Sequence, residues 1–78
     1  MTDLLHFIVT SIVTNKEDVA IREEETETSI ILHLTVNAED MGQVIGKQGR
    51  VVNAIREIIK TAARGGEKRY FVEVDDEK

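Results

Sequence analysis

Apolar positions recur along this chain with two different periods, and the places where the period changes mark out its elements. In residues 4–13, Leu5, Ile8 and Ile12 fall at helical spacing, Leu4 and Val9 widen the stripe, and Thr2 or Asp3 can cap the first turn. A first amphipathic helix is predicted there. The polar, turn-like Asn15-Lys16-Glu17-Asp18 precedes Val19 and Ile21, which alternate with Ala20 and Arg22 as a short strand. That strand is expected to run into a solvated acidic loop, Glu23 to Glu27. From Thr28 to Val36, β-branched and aliphatic residues are dense, with Ile30, Leu32, Leu34 and Val36 on one face and Ile31, His33 and Thr35 on the other. This is the candidate central strand.

Asn37 or the Glu39-Asp40 pair can open a short second helix through Met41, Val44 and Ile45, which Gly46 ends. Residues 50–64 put Val52, Ile55, Ile59 and Ala62 on one face and Arg50, Asn53, Glu57, Lys60 and Arg64 on the opposite one; Gly65-Gly66 can then cap this third helix. Tyr70, Val72 and Val74 alternate with Phe71, Glu73 and Asp75 as a last strand, ahead of a charged tail, Asp76-Glu77-Lys78. The order αββααβ follows. Strands joined by a short loop pair antiparallel, and a two-helix crossover lets the third strand lie parallel to the central one. The expected fold class is α/β (α+β): a two-layer sandwich with a three-stranded mixed sheet, Ile30, Leu32 and Leu34 packing on Ile8, Ile12, Ile55 and Ile59. The other sheet face, with Ile31, His33 and Phe71, is left as a possible partner surface.

Size and charge narrow the function. With 78 residues the chain is expected to be one domain, 1–78. Without cysteine it has no disulfide framework and no thiolate ligands, which fits a reducing cytoplasm. Its apolar runs are far below the roughly 20 residues of a membrane span, and no export signal precedes them, so a soluble cytoplasmic protein is expected. The net charge of -5 argues against a polyanionic partner, but its distribution argues for one. Between Gly42 and Arg69 seven bases face two acids, a net +5, which leaves -10 for the remainder. That basic segment contains the Gly46-Lys47-Gln48-Gly49 loop.

Two glycines flanking two polar residues let the backbone turn tightly and approach a phosphodiester without an obstructing Cβ. Loop amides, together with those of the next helix's first turn, are donors at the positive end of a helix dipole, and Lys47 and Arg50 add mobile charge. A plain helix hairpin, with Gly46 and Gly49 serving turn geometry alone, is the rival reading of the same residues.

The run Val44-Ile45-Gly46-Lys47-Gln48-Gly49-Arg50-Val51-Val52-Asn53-Ala54-Ile55 resembles the KH signature, in which a GXXG loop grips about four nucleotides of single strand. Over essentially its whole length the chain is similar to type II KH domains, and the Leu4-Leu5 helix and Glu39 to Arg50 look like the small bacterial KH proteins of the KhpA family. The resemblance implies RNA binding without catalysis, an RNA-chaperone or post-transcriptional role, homodimerisation, a KhpB-type KH partner, and a link to cell elongation and cell-wall homeostasis. On the family pattern Gly46, Lys47, Gln48 and Gly49 would meet the RNA backbone, Ile45 and Val52 would floor the groove, and Arg50 and Asn53 would flank it. The loop between the first two strands would form the opposite wall, where the acids Glu23 to Glu27 would repel phosphate and weaken binding.

Rival chemistries fail on spacing. Only three residues separate Gly42 from Gly46 where a phosphate-binding P-loop needs four, and Gln48 stands where that motif needs serine or threonine. His6 and His33 sit in different elements outside any ligand motif, and Glu23 to Glu25 lack the rigid, shielded setting that acid–base catalysis requires. No enzyme, cofactor, metal or small-molecule substrate is expected. Few aromatics are present for base stacking, and Tyr70 is read as a core residue. The remaining rival is a protein-interaction adaptor that uses the scaffold to dimerise and leaves RNA to its partner.

Overall fold

A computed structural model describes residues 1–75; the tail Asp76-Glu77-Lys78 lies outside the described residues. Helix α1 spans Thr2–Thr10, and its N-cap is Met1 without a side-chain hydrogen bond, so neither Thr2 nor Asp3 caps it. Near its other end the Thr10 and Ser11 hydroxyls donate back to the carbonyls of His6 (2.8 Å) and Phe7 (2.7 Å), offering acceptors a partner other than the next turn. Strand β1, Ala20–Glu25, pairs antiparallel with β2, Ser29–Thr35, and β2 pairs parallel with β3, Arg69–Asp75. Between β2 and β3 run the short helix α2, Met41–Ile45, and the long helix α3, Arg50–Ala62. The strand order is β1-β2-β3, and the layers are a type II KH arrangement: helices on one face, a mixed sheet beneath.

The acidic stretch corrects the expected loop. Glu23, Glu24 and Glu25 belong to β1 and pair with Leu32, Ile31 and Ile30; only Thr26 to Thr28 turns. Backbone pairing to a strongly β-forming neighbour fixes the strand, and an edge position leaves the carboxylates in water, where they discourage further pairing. Thr26 closes the turn by accepting from Ser29 N–H through Oγ1 (2.9 Å).

Leu5, Val9, Val13, Leu32, Leu34, Val36, Val44, Ile55, Ile59 and Val72 form the buried cluster. Leu5 and Val9, one turn apart, point straight down from α1, whereas Ile8, Ile12 and Ile30, expected at the centre, flank it half-buried. Ala62 is exposed, because α3 ends there, past the part of the helix that lies on the core. The left-handed residue beyond it is Gly65 (φ 93°), in the turn that Gly66 N–H closes on Ala63 O. No helix among the described residues is long and apolar enough to cross a membrane.

Candidate nucleic-acid interface

The platform for the glycine loop is built by one buried acid. Asp40 is only 2 % exposed, just before α2, and accepts from Thr14 N–H (3.1 Å), Asn15 N–H (2.9 Å) and Asn15 Nδ2 (3.1 Å). The chain leaving α1 is thereby tied to the entrance of α2. The Asn15 amide, opposed by burial and reinforced by the Thr14 amide, the Asn15 side chain and the charge of Lys16, holds the Asp40 carboxyl below its ordinary value. Asn37 adds a local brace, accepting from Glu39 N–H (2.8 Å).

Helix α2 stops at Gly46, whose φ of 75° and ψ of 172° lie in a region essentially reserved for glycine. A Cβ there would sit 2.4 Å from Val51 Cγ2, so the first turn of α3 closes directly over this residue. Lys47, Gln48 and Gly49 make a single tight turn, with Gln48 (φ 57°, ψ 27°) and Gly49 (φ 78°, ψ 14°) both left-handed. Gly49 N–H donates to Gly46 O (3.1 Å) and Arg50 N–H to Lys47 O. Among the described residues, the Lys47 and Gln48 N–H groups take no part in the turn and cap hydrogen bonds. Lys47, Gln48, Arg50 and Asn53 are exposed, and neither Lys47 nor Arg50 joins an ion pair among the described residues.

The structure gathers Ile45 to Arg50 and Asn53 on one surface. Ile45 is half-buried beside the loop, but Val52 is only 6 % exposed and faces inward, so as groove floor it offers little surface. Beside Asn53 opens a groove of about 560 Å³ between α3 and the outer edge of β3, with Arg56, Lys60 and Tyr70 among its walls. Arg56 bridges it: Nε donates to Val72 O on β3 (3.0 Å) and Nη1 to Asn53 Oδ1 (3.3 Å). Of the five N–H groups of a guanidinium, those two are committed and three have no protein partner among the described residues. Sequence reasoning missed Arg56, although its place one turn after Asn53 on the same helix face was a usable signal.

The acids expected across the groove lie elsewhere. Strand β1 is at the far edge of the sheet from β3, and Glu25 is held by Lys68. Of that run Glu25 reaches the α3–β3 connection through Lys68, and Glu27 lies in a separate depression with Arg69 and Phe71. His33, on the open sheet face, places Nε2 2.7 Å from Glu24 Oε1, and His6 is exposed on α1. Among the described residues, no group of three or more His, Cys, Asp or Glu could hold a metal ion.

A profile described as "KhpA/KhpB, KH domain" matches residues 2–74. Similar chains include proteins named "RNA-binding protein KhpA" from Clostridium acetobutylicum, 50% identical, and Clostridium perfringens, 49% identical, each alignment covering 95% of this chain and 99% of the relative. Another protein of that name, from Listeria monocytogenes, is 43% identical over 95% of this chain and 97% of its own. No solved structure matches the chain. With its αββααβ order, its two-glycine turn between α2 and α3, and these matches along nearly the entire sequence, the chain belongs to the KhpA/KhpB family of KH domains.

Proposed function

We propose that this chain binds single-stranded RNA, gripping its backbone with Gly46, Lys47, Gln48 and Gly49 while Arg50 and Asn53 flank the strand and bases lie along the groove beside α3. The observation that carries the reading is the exposed turn in which the Lys47 and Gln48 amides are outside the turn's own hydrogen bonding, next to Lys47 and Arg50 side chains that join no ion pair among the described residues. Such amides at the start of a 13-residue helix suit phosphate oxygens, and the glycines let the strand come close. The names of the relatives support RNA as the ligand. The chain acts as one domain in the cytoplasm and catalyses nothing; its role is that of an RNA chaperone or post-transcriptional regulator, tied to cell elongation and cell-wall homeostasis.

Partnership with a KhpB-type protein and homodimerisation belong to the same proposal. The family description names KhpA and KhpB together, and Ile58 on α3 and Phe71 on β3 are large apolar side chains about half exposed (47 % and 46 %). Those side chains also favour a second reading, an adaptor whose partner supplies the RNA contact. Replacing Lys47 and Gln48 together by Asp separates the two. The clamp reading expects an intact circular dichroism spectrum with RNA affinity reduced by about tenfold or more; unchanged affinity with retained partner binding favours the adaptor.

A further inference from the structure

The groove beside α3 does not end with the bases' compartment. Beyond Lys60 and Tyr70 it continues into a wider trough of about 770 Å³ under the α3–β3 connection, where Lys60, Arg64 and Arg69 meet. All three are exposed, and none is in an ion pair among the described residues. Lys68, in contrast, is consumed by Glu25 and by Thr26 O (2.8 Å). Complementing the carboxy-terminal end of the α3 dipole accounts for Lys60 and Arg64. It does not account for Arg69, which comes from β3 across the trough. Glu57 and Glu67 line the same walls and Glu27 shares an adjoining depression with Arg69, but none of these acids is in an ion pair with Lys60, Arg64 or Arg69 among the described residues.

We propose that Lys60, Arg64 and Arg69 form a second phosphate-binding site, which receives the RNA backbone after it has crossed the groove from the glycine loop. This rests on the loop reading above and extends it: the 13 residues of α3 separate the two sites by about 20 Å, about the reach of the roughly four extended nucleotides that a GXXG loop grips, so a strand of about ten nucleotides spans both and one of about three does not. A short strand reaches one site only. At moderate salt a charge about 20 Å away is beyond the screening length, so the far site leaves short-strand affinity untouched.

The test is fluorescence anisotropy with unstructured oligoribonucleotides of about three and about ten nucleotides, at physiological salt. The double variant Arg64→Glu with Arg69→Glu should weaken the longer strand about tenfold and leave the shorter one within about twofold. Arg64→Gln with Arg69→Gln substitutes if the reversal disturbs the fold, and Arg22→Glu, at the opposite sheet edge, changes net charge by the same amount as that neutral pair and is its control. Equal loss on both lengths, or no loss on the longer one, overturns the second site. Lys47→Asp with Gln48→Asp, run in parallel, should weaken both lengths. If that pair changes neither while the distal pair matters, the loop reading has failed; if the loop pair matters and the distal pair does not, only the second site has.

Discussion

Gly46 and Gly49 are equivalent letters in the motif but have different physical reasons to be glycine. Gly46 combines a glycine-only backbone conformation with Val51 packed where a side chain would go, whereas a Cβ on Gly49 would meet only Asn53 Nδ2 at 3.8 Å. Gly46→Ala is therefore expected to destabilise by about 3 kcal/mol, from backbone strain and overpacking together. Gly49→Ala should cost about 1 kcal/mol, the left-handed penalty alone. Urea unfolding of the two variants checks the difference. Spacing revealed the turn but not this asymmetry, since the contact with Val51 exists only once α3 has folded back over α2. Arg56 was hidden for a related reason: on a helical wheel it is one more solvated base, and only the parallel placement of β3 brings Val72 O within 3.0 Å of it. Truncating it to Ala should cost about 1–2 kcal/mol by urea unfolding, because a charged donor to an edge-strand carbonyl is lost.

Among the elements, α2 depends most on a distant segment. Five residues cannot hold a helix by themselves, and Asp40 ties α2 to the residues after α1. Folded Asp40 gives up its proton at lower pH than in the unfolded chain, where its value is about 3.9. The stability it contributes is fully present above that unfolded value and is lost as pH falls through the lower folded one. Asp40→Asn should thus melt at lower temperature than the parent near pH 7, with the gap narrowing on acidification below about pH 4; a gap that stays constant with pH contradicts this role. The helices and β2 were legible because their apolar periods are long and regular. Strand β1 was only half legible, since pairing to β2 from Ile30 to Thr35 outweighs the poor strand propensity of three successive glutamates.

The whole molecule is electrically two-sided, with bases along α3 and its exit and acids on β1 at the opposite edge of the sheet. RNA affinity should accordingly fall as salt rises, by about 0.7 log units per tenfold salt for each phosphate neutralised on a single strand. A strand of about ten nucleotides should show the steeper slope, and the Arg64→Glu, Arg69→Glu variant should flatten it to that of the short strand. The segregation of charge was visible in the sequence, but which edge of the sheet each sign occupies depended on strand order. Gripping RNA in the proposed way requires the Lys47 and Gln48 amides to be open to a phosphate. Amide chemical shifts followed during titration with unstructured RNA test it most directly. The largest changes should fall on residues 46–50, and the Lys47 and Gln48 amides should become protected from exchange. Saturation with those two amides unmoved, and the changes centred on β1 or the open sheet face instead, would contradict it.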